Sequence, residues 1–155
     1  CKNQFAVVEI SPEKYNQLYD TFTLEGKKLN TLLAWAHAKS LEEVLSRVQC
    51  SKAISDQFAD ERFILGKLQE RGKKIELVQQ HKAEIHTAVA AASILARARF
   101  LEKLTKLSEE VGFPLLKGAS LEVVEQAKKI VESKGEDILK RIAKIHFKTT
   151  KSVIS

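Results

Sequence analysis

Lys82-Ala83-Glu84-Ile85-His86-Thr87-Ala88-Val89-Ala90-Ala91-Ala92-Ser93-Ile94-Leu95-Ala96-Arg97 sets one carboxylate at the head of a run dominated by small residues. Alanine is the strongest helix former, because it loses no side-chain entropy on folding. The run therefore predicts a helix from Glu84 to Val111, closed by Gly112 and Pro114. A helix paved this way approaches a sheet closely. Ala88, Ala90, Ala91, Ala92, Ala96 and Ala98 are assigned to close packing, with no chemistry of their own, and their contact with the sheet is expected to hold Glu84 still.

The surrounding 155 residues are 44% hydrophobic with 6 Gly and 2 Pro, a composition that suits a single packed domain over 1–155 rather than a disordered tail. A formal charge of +6 favours a polyanionic partner and is equally compatible with an ordinary basic globule. Cys1 and Cys50 belong to no Cys/His cluster of the kind that holds zinc, which indicates a reducing compartment. No apolar run reaches the ~18 residues of a membrane span, and the N-terminus lacks a signal-peptide pattern. A cytoplasmic location without membrane contact is expected. Because the first residue is Cys, the chain is also expected to be cut from something longer.

Working outward, Phe5-Ala6-Val7-Val8-Glu9-Ile10 reads as a strand, since β-branched and apolar residues dominate it. Ser11 caps and Pro12 opens a helix in which Tyr15, Leu18, Tyr19 and Phe22 recur at helical spacing. A long half-buried helix is predicted from Leu29 to about Val48, and a brief strand from Lys52 to Asp56. Helical spacing returns over residues 60–71, and a strand is read over Lys74 to Gln79. Two more helices are expected, Ser120 to about Ser133 and Gly135 to His146. Strands separated by helices indicate an α/β unit, yet three short strands offer too little surface for so many amphipathic helices. Either the domain is mainly α or strands are missing from it.

Asp56 closes one predicted strand and Glu84 follows the next. If the two strands are parallel neighbours, both carboxylates fall at the same sheet edge, where open α/β folds place their sites. Paired carboxylates suit a hard divalent cation such as Mg²⁺ or Mn²⁺, which prefers oxygen ligands and retains several waters. From spacing alone, a turn role for Asp56 and a helix-dipole role for Glu84 explain the same residues.

Residue order decides between these. Ile54-Ser55-Asp56-Gln57-Phe58 resembles the Asp-Gln-Phe segment of the type 2 ribonuclease H family, whose Asp binds metal. Lys82-Ala83-Glu84 with Val89 to Arg97 resembles the segment carrying that family's last acid, and a Glu there points to the ribonuclease HIII branch. Pro12-Glu13-Lys14-Tyr15-Asn16, Leu33-Ala34-Trp35-Ala36-His37, Lys117-Gly118-Ala119-Ser120 and Lys144-Ile145-His146-Phe147-Lys148-Thr149-Thr150 match further segments in the family's order. The resemblance implies a ribonuclease H-like sheet flanked by helices. It also implies metal-assisted cleavage of the RNA strand of RNA·DNA hybrids to 5′-phosphate and 3′-hydroxyl ends, by an enzyme expected to be monomeric. Asp56 and Glu84 are then the catalytic metal ligands, with Mg²⁺ or Mn²⁺ as cofactor. Lys117, Gly118 and Ser120, together with Lys144, His146 and Lys148, become candidates for binding the hybrid. A plain helix cap for Ser120 and a solvated face for the C-terminal lysines remain alternative readings.

One departure is large. The family's site begins on a first strand of the form Asp-Glu-Ser-Gly-Lys-Gly, and no such sequence occurs here. Hydrolysis assisted by two metals needs several carboxylates. The resemblance therefore implies the C-terminal part of a catalytic domain, lacking its N-terminal strands and inactive alone. His86 and His37 are read as structural, and Asp60 and Glu61 as first-turn acids with a minor claim on metal. The rival reading is a non-catalytic helical module that binds nucleic acid or protein through its basic C-terminal segment.

Overall fold

A computed structural model describes residues 4–58 and 60–154. In order, the elements are α1 (Pro12–Leu24), α2 (Leu29–Leu45), β1 (Lys52–Asp56), α3 (Arg62–Leu65), β2 (Glu76–Gln80), α4 (Thr87–Val111), α5 (Leu121–Lys134), α6 (Leu139–Ile142) and α7 (Lys148–Lys151). Short 3₁₀ turns occupy Gly72–Lys74, Ala83–Ile85 and Glu136–Ile138. The result is a helix-rich α/β fold. Contacts divide it into two compact units, one formed by Cys1–Glu9 with Phe22–Arg99, the other by Ile10–Thr21 with Phe100–Ser155. Among the described residues no helix is long and apolar enough to cross a membrane. Cys50 is an exposed free thiol, and Cys1 lies outside the described residues.

In the first unit β1 and β2 pair in parallel, with Lys52 opposite Glu76 and Asp56 opposite Gln80. The Gln57 amide donates to the Gln80 carbonyl at 3.1 Å, carrying the ladder one step past Asp56. The core beneath consists of Ala34 and Ala38 from α2 with Ile64 and Leu68, flanked by Leu41, Phe58 and Leu77. Phe58 thus anchors the segment just after Asp56 in that core, and its ring lies 4.8 Å from that of His37.

The strand expected over Phe5 to Ile10 does not form; those residues have no regular structure. A strand is stabilised by its ladder, and among the described residues the sheet offers only β1 and β2. The helix expected over 60–71 shrinks to α3. Past it, Glu42 of α2 accepts hydrogen bonds through Oε1 from the amides of Gln69 (2.7 Å) and Gly72 (2.8 Å), holding the chain in a turn. A Cβ at Gly72 would meet Leu68 Cδ2 at 2.6 Å and Glu42 Oε1 at 2.7 Å, so any other residue there would have to displace both side chains.

In the second unit Ser11 caps α1 as expected, its hydroxyl accepting from the Lys14 amide at 3.2 Å. Buried Asn16 reaches the far end of the sequence. Its Nδ2 donates to the carbonyls of Lys140 (3.0 Å) and Ala143 (2.9 Å), and its Oδ1 accepts from the Ile145 amide (3.1 Å). By taking those groups, Asn16 stops α6 at Ile142 and ends the helix expected to continue to His146.

Candidate active site

Asp56 is the last residue of β1 and stands exposed at the carboxyl edge of the parallel pair. Glu84 lies beyond the same edge of β2, and it is not on the long helix as expected. Lys82 adopts a left-handed conformation (φ 54°, ψ 44°), and Ala83–Ile85 form a 3₁₀ turn before α4 starts at Thr87. Left-handed backbone costs a residue with a Cβ roughly 1–2 kcal/mol, so the turn is held by its surroundings. Its buried member is Ala83, and the Ala83 amide donates to Asp56 Oδ1 at 3.2 Å. That bond ties the end of β1 to the turn presenting Glu84. Two acids 28 positions apart in sequence (84 − 56) are thereby held at one sheet edge.

Because the 3₁₀ turn separates Glu84 from α4, the relation between Glu84 and His86 is not a helical one. His86 is the residue before α4, its carbonyl accepting from the Ala90 amide at 3.0 Å, and its Nε2 is buried without a partner. Asp60 is engaged elsewhere. Arg62 donates to it through Nε (2.9 Å), Nη2 (2.7 Å) and the backbone amide (2.9 Å), and these bonds hold the exposed carboxyl at about 2. Among the described residues no three His, Cys, Asp or Glu side chains gather closely enough to enclose a metal ion. Two exposed carboxylates nevertheless fit a hard cation that keeps most of its waters, because Mg²⁺ is commonly held by only one or two protein carboxylates.

Next to Asp56, a shallow polar recess of about 340 Å³ is lined by Gln57, Asp60, Glu61, Arg62 and Gln79. Both polar atoms of the Gln79 carboxamide are buried there without a partner. Nothing in the sequence marks Gln79, because a glutamine at a strand end carries no periodic signal.

The candidates for contacting nucleic acid lie in the second unit, so the first unit holds the acids and the second the basic segments. Lys117 and Gly118 are exposed on the bend before α5, where Gly118 takes φ 101°. Ser120 occupies the cap position of α5, with its hydroxyl making no capping bond. His146 is stacked on Tyr19 (4.0 Å, 14°) and Tyr15 (5.6 Å, 23°), with Phe147 tilted against it at 4.2 Å. Lys144 Nζ sits 4.5 Å from the centre of the Tyr15 ring, and burial lowers its pKa. Lys148, exposed, opens α7. The sequence reading missed this ring stack, whose members are split between α1 and the C-terminal segment.

The profile of the family described as ribonuclease HII matches residues 6–150. Ribonuclease HIII of Protochlamydia amoebophila is 42% identical over 150 residues, covering 97% of this chain and 48% of the relative. That of Chlamydia muridarum is 44% identical, with 96% and 48% covered. The crystal structure of Bst-RNase HIII in complex with Mn²⁺ superposes with a TM-score of 0.81 at 31% identity, covering 94% of this chain and 48% of that one. Aquifex aeolicus RNase H3 gives 0.64 at 29% identity, with 90% and 47% covered. The chain spans about half the length of each of these relatives. Sequence and fold agree, and the chain belongs to the ribonuclease HII family, with ribonuclease HIII proteins among its relatives.

Proposed function

We propose that this chain supplies part of the carboxylate site of a metal-dependent endonuclease that hydrolyses the RNA strand of RNA·DNA hybrids, leaving 5′-phosphate and 3′-hydroxyl ends. The observation that carries the reading is the bond from the Ala83 amide to Asp56, which holds Asp56 and the turn of Glu84 at one edge of a parallel sheet. Asp56 and Glu84 would hold Mg²⁺ or Mn²⁺. When bound, such a cation activates water and stabilises charge developing on a phosphate. The protein's part is to position the two acids: the Ala83 bond ties Asp56 to the turn that carries Glu84, and Phe58 anchors the segment just after Asp56 in the core. Lys117, Gly118 and Ser120 offer a bend and a free hydroxyl to a phosphate, and Lys144, His146 and Lys148 a second basic segment.

The test uses the chain joined to the half of its relatives that it does not match. Asp56→Asn and Glu84→Gln are each expected to abolish hybrid cleavage while leaving the melting temperature unchanged, because both side chains are exposed. Cleavage retained in either variant rules out the role assigned to that residue. Lys148→Ala is expected to weaken hybrid binding uniformly across sequences and to flatten its salt dependence, as a phosphate contact does.

A further inference from the structure

In the second unit Phe147 is 46% exposed, yet the backbone on both sides of it is tied down. Before it, Asn16 bonds the Ala143 carbonyl and the Ile145 amide. After it, the Thr150 hydroxyl donates to the Lys144 carbonyl at 3.0 Å, and the amides of Thr150 and Lys151 donate to the Phe147 carbonyl at 3.1 Å. The Phe147 ring leans on His146 at 4.2 Å, and His146 is stacked on Tyr19 at 4.0 Å. His146 Nδ1 is buried without a partner, so ring contacts and no bond at that nitrogen hold the imidazole. Phe147 is therefore the exposed end of a fixed run of rings. One exposed phenylalanine is ordinary, and the charges beside it are what set this one apart. Lys144 Nζ lies 5.9 Å from the centre of the Phe147 ring, and Lys148 follows Phe147 directly in sequence. Both lysines are exposed, and neither makes an ion pair among the described residues, whereas Lys140 is taken by Asp137 at 2.7 Å. At His146 the charges of Lys144 and Lys151 each act more strongly than the opposing Asp20.

We propose that Phe147, flanked by Lys144 and Lys148, is a stacking platform for one unpaired base of a single-stranded nucleic acid, with the two lysines taking its neighbouring phosphates. A flat ring beside unneutralised cations matches the two parts of a nucleotide, the π-face of the base and the negative charge of the phosphate. Inside a duplex both faces of a base are already covered by its neighbours, so the ring selects a strand that is not paired. Because the backbone at Phe147 is fixed before binding, little ordering is left to oppose the contact. The assignment deepens the nucleic-acid reading of Lys144, His146 and Lys148 and rests on it: this segment takes the single strand that continues past a hybrid.

The test measures binding of the 155-residue chain to DNA and RNA single strands of about 12 nucleotides, within the span of one single-strand site, each carrying a central 2-aminopurine. A blunt RNA·DNA hybrid of the same length is measured beside them. Binding of either single strand is expected to quench the 2-aminopurine as it stacks. Phe147→Leu keeps apolar bulk but removes the π-face, and should weaken single-strand binding at least fivefold, equally for DNA and RNA, and abolish the quenching. Affinity for the blunt hybrid should fall less than twofold. Phe147→Trp should bind and quench at least as well as the unsubstituted chain, and it keeps the test decisive should Phe147→Leu loosen the segment, because an indole can still lie against His146. No affinity for single strands, Phe147→Leu binding them as before, a loss confined to DNA or to RNA, or an equal loss for the blunt hybrid would overturn the proposal. Displacement of the strand by polyglutamate as readily as by unlabelled strand would do so too, since charge alone would then explain binding. Single-strand binding that depends on Phe147, found with no hybrid cleavage by the joined protein, overturns the nuclease reading and leaves the platform standing. Hybrid cleavage with single-strand binding indifferent to Phe147 does the reverse.

Discussion

Asn16 shows how much one side chain decides. It is 5% exposed and satisfies two carbonyls and one amide more than 120 positions away in sequence. Replacing it with Ala leaves those groups buried without partners, at about 1–3 kcal/mol for each that water cannot reach. Asn16→Ala is expected to lower stability by at least ~2 kcal/mol in urea unfolding, and a loss below ~0.5 kcal/mol would show that the C-terminal segment holds its shape without it. Two histidines give the pH dependence at this scale. Burial pushes both His37 and His146 below the ordinary value of 6.5, and for His146 the Lys144 and Lys151 charges add to burial against the opposing Asp20. Each binds fewer protons folded than unfolded below that value, so their contribution is complete above pH 6.5 and is lost as pH falls through the folded values. The melting temperature should therefore drop on going from pH 7.5 to 5.5. His146→Phe, which keeps a ring in the stack, should flatten that drop, and an identical slope in the variant would remove His146 from the account.

Among the elements, α4 departs most from its sequence reading. Its alanines predict both the helix and a close-packed face, and the helix forms over Thr87–Val111 with Val111 its only buried residue. The face is open instead of packed. Ala91→Leu and Ala92→Leu are accordingly expected to leave thermal melts of this chain unchanged, since both positions are exposed. A loss of ~1–3 kcal/mol, the cost of overpacking a filled site, would mean the face is covered in solution. β1 was fully legible, because Ala53 and Ile54 give it an apolar centre and Asp56 ends it. The ends of α3 and α6 were not. In both cases a distant polar side chain, Glu42 or Asn16, captures backbone groups that a longer helix would have bonded to itself.

For the molecule as a whole, two acids fixed at one edge fall short of the several carboxylates that two-metal hydrolysis requires. The 155-residue chain, incubated alone with an RNA·DNA hybrid and Mg²⁺ or Mn²⁺, is expected to release no product. Cleavage above a metal-free control, abolished by Glu84→Gln, would show that the site is complete within this chain. Family membership was legible because segments from Pro12 to Thr150 keep their order along nearly the whole chain, and order survives where any one motif is weak. The recess at Gln79 and the ring stack at His146 were not, because each depends on a contact between segments far apart in sequence, residues 57–62 with Gln79 and the Tyr15–Tyr19 pair with His146.

The sequence by itself determined the alanine helix, the strand that ends at Asp56, the two acids and the order of motifs. These depend on local propensity and side-chain spacing, which act within a few turns of chain. Only the tertiary structure decided where helices stop, that Glu84 sits on a 3₁₀ turn bonded to Asp56 through Ala83, and that the alanine face is open. The physical reason is competition. A polar side chain arriving from 27 to 129 residues away binds backbone groups in competition with the local helix, and no short window along the chain contains both partners.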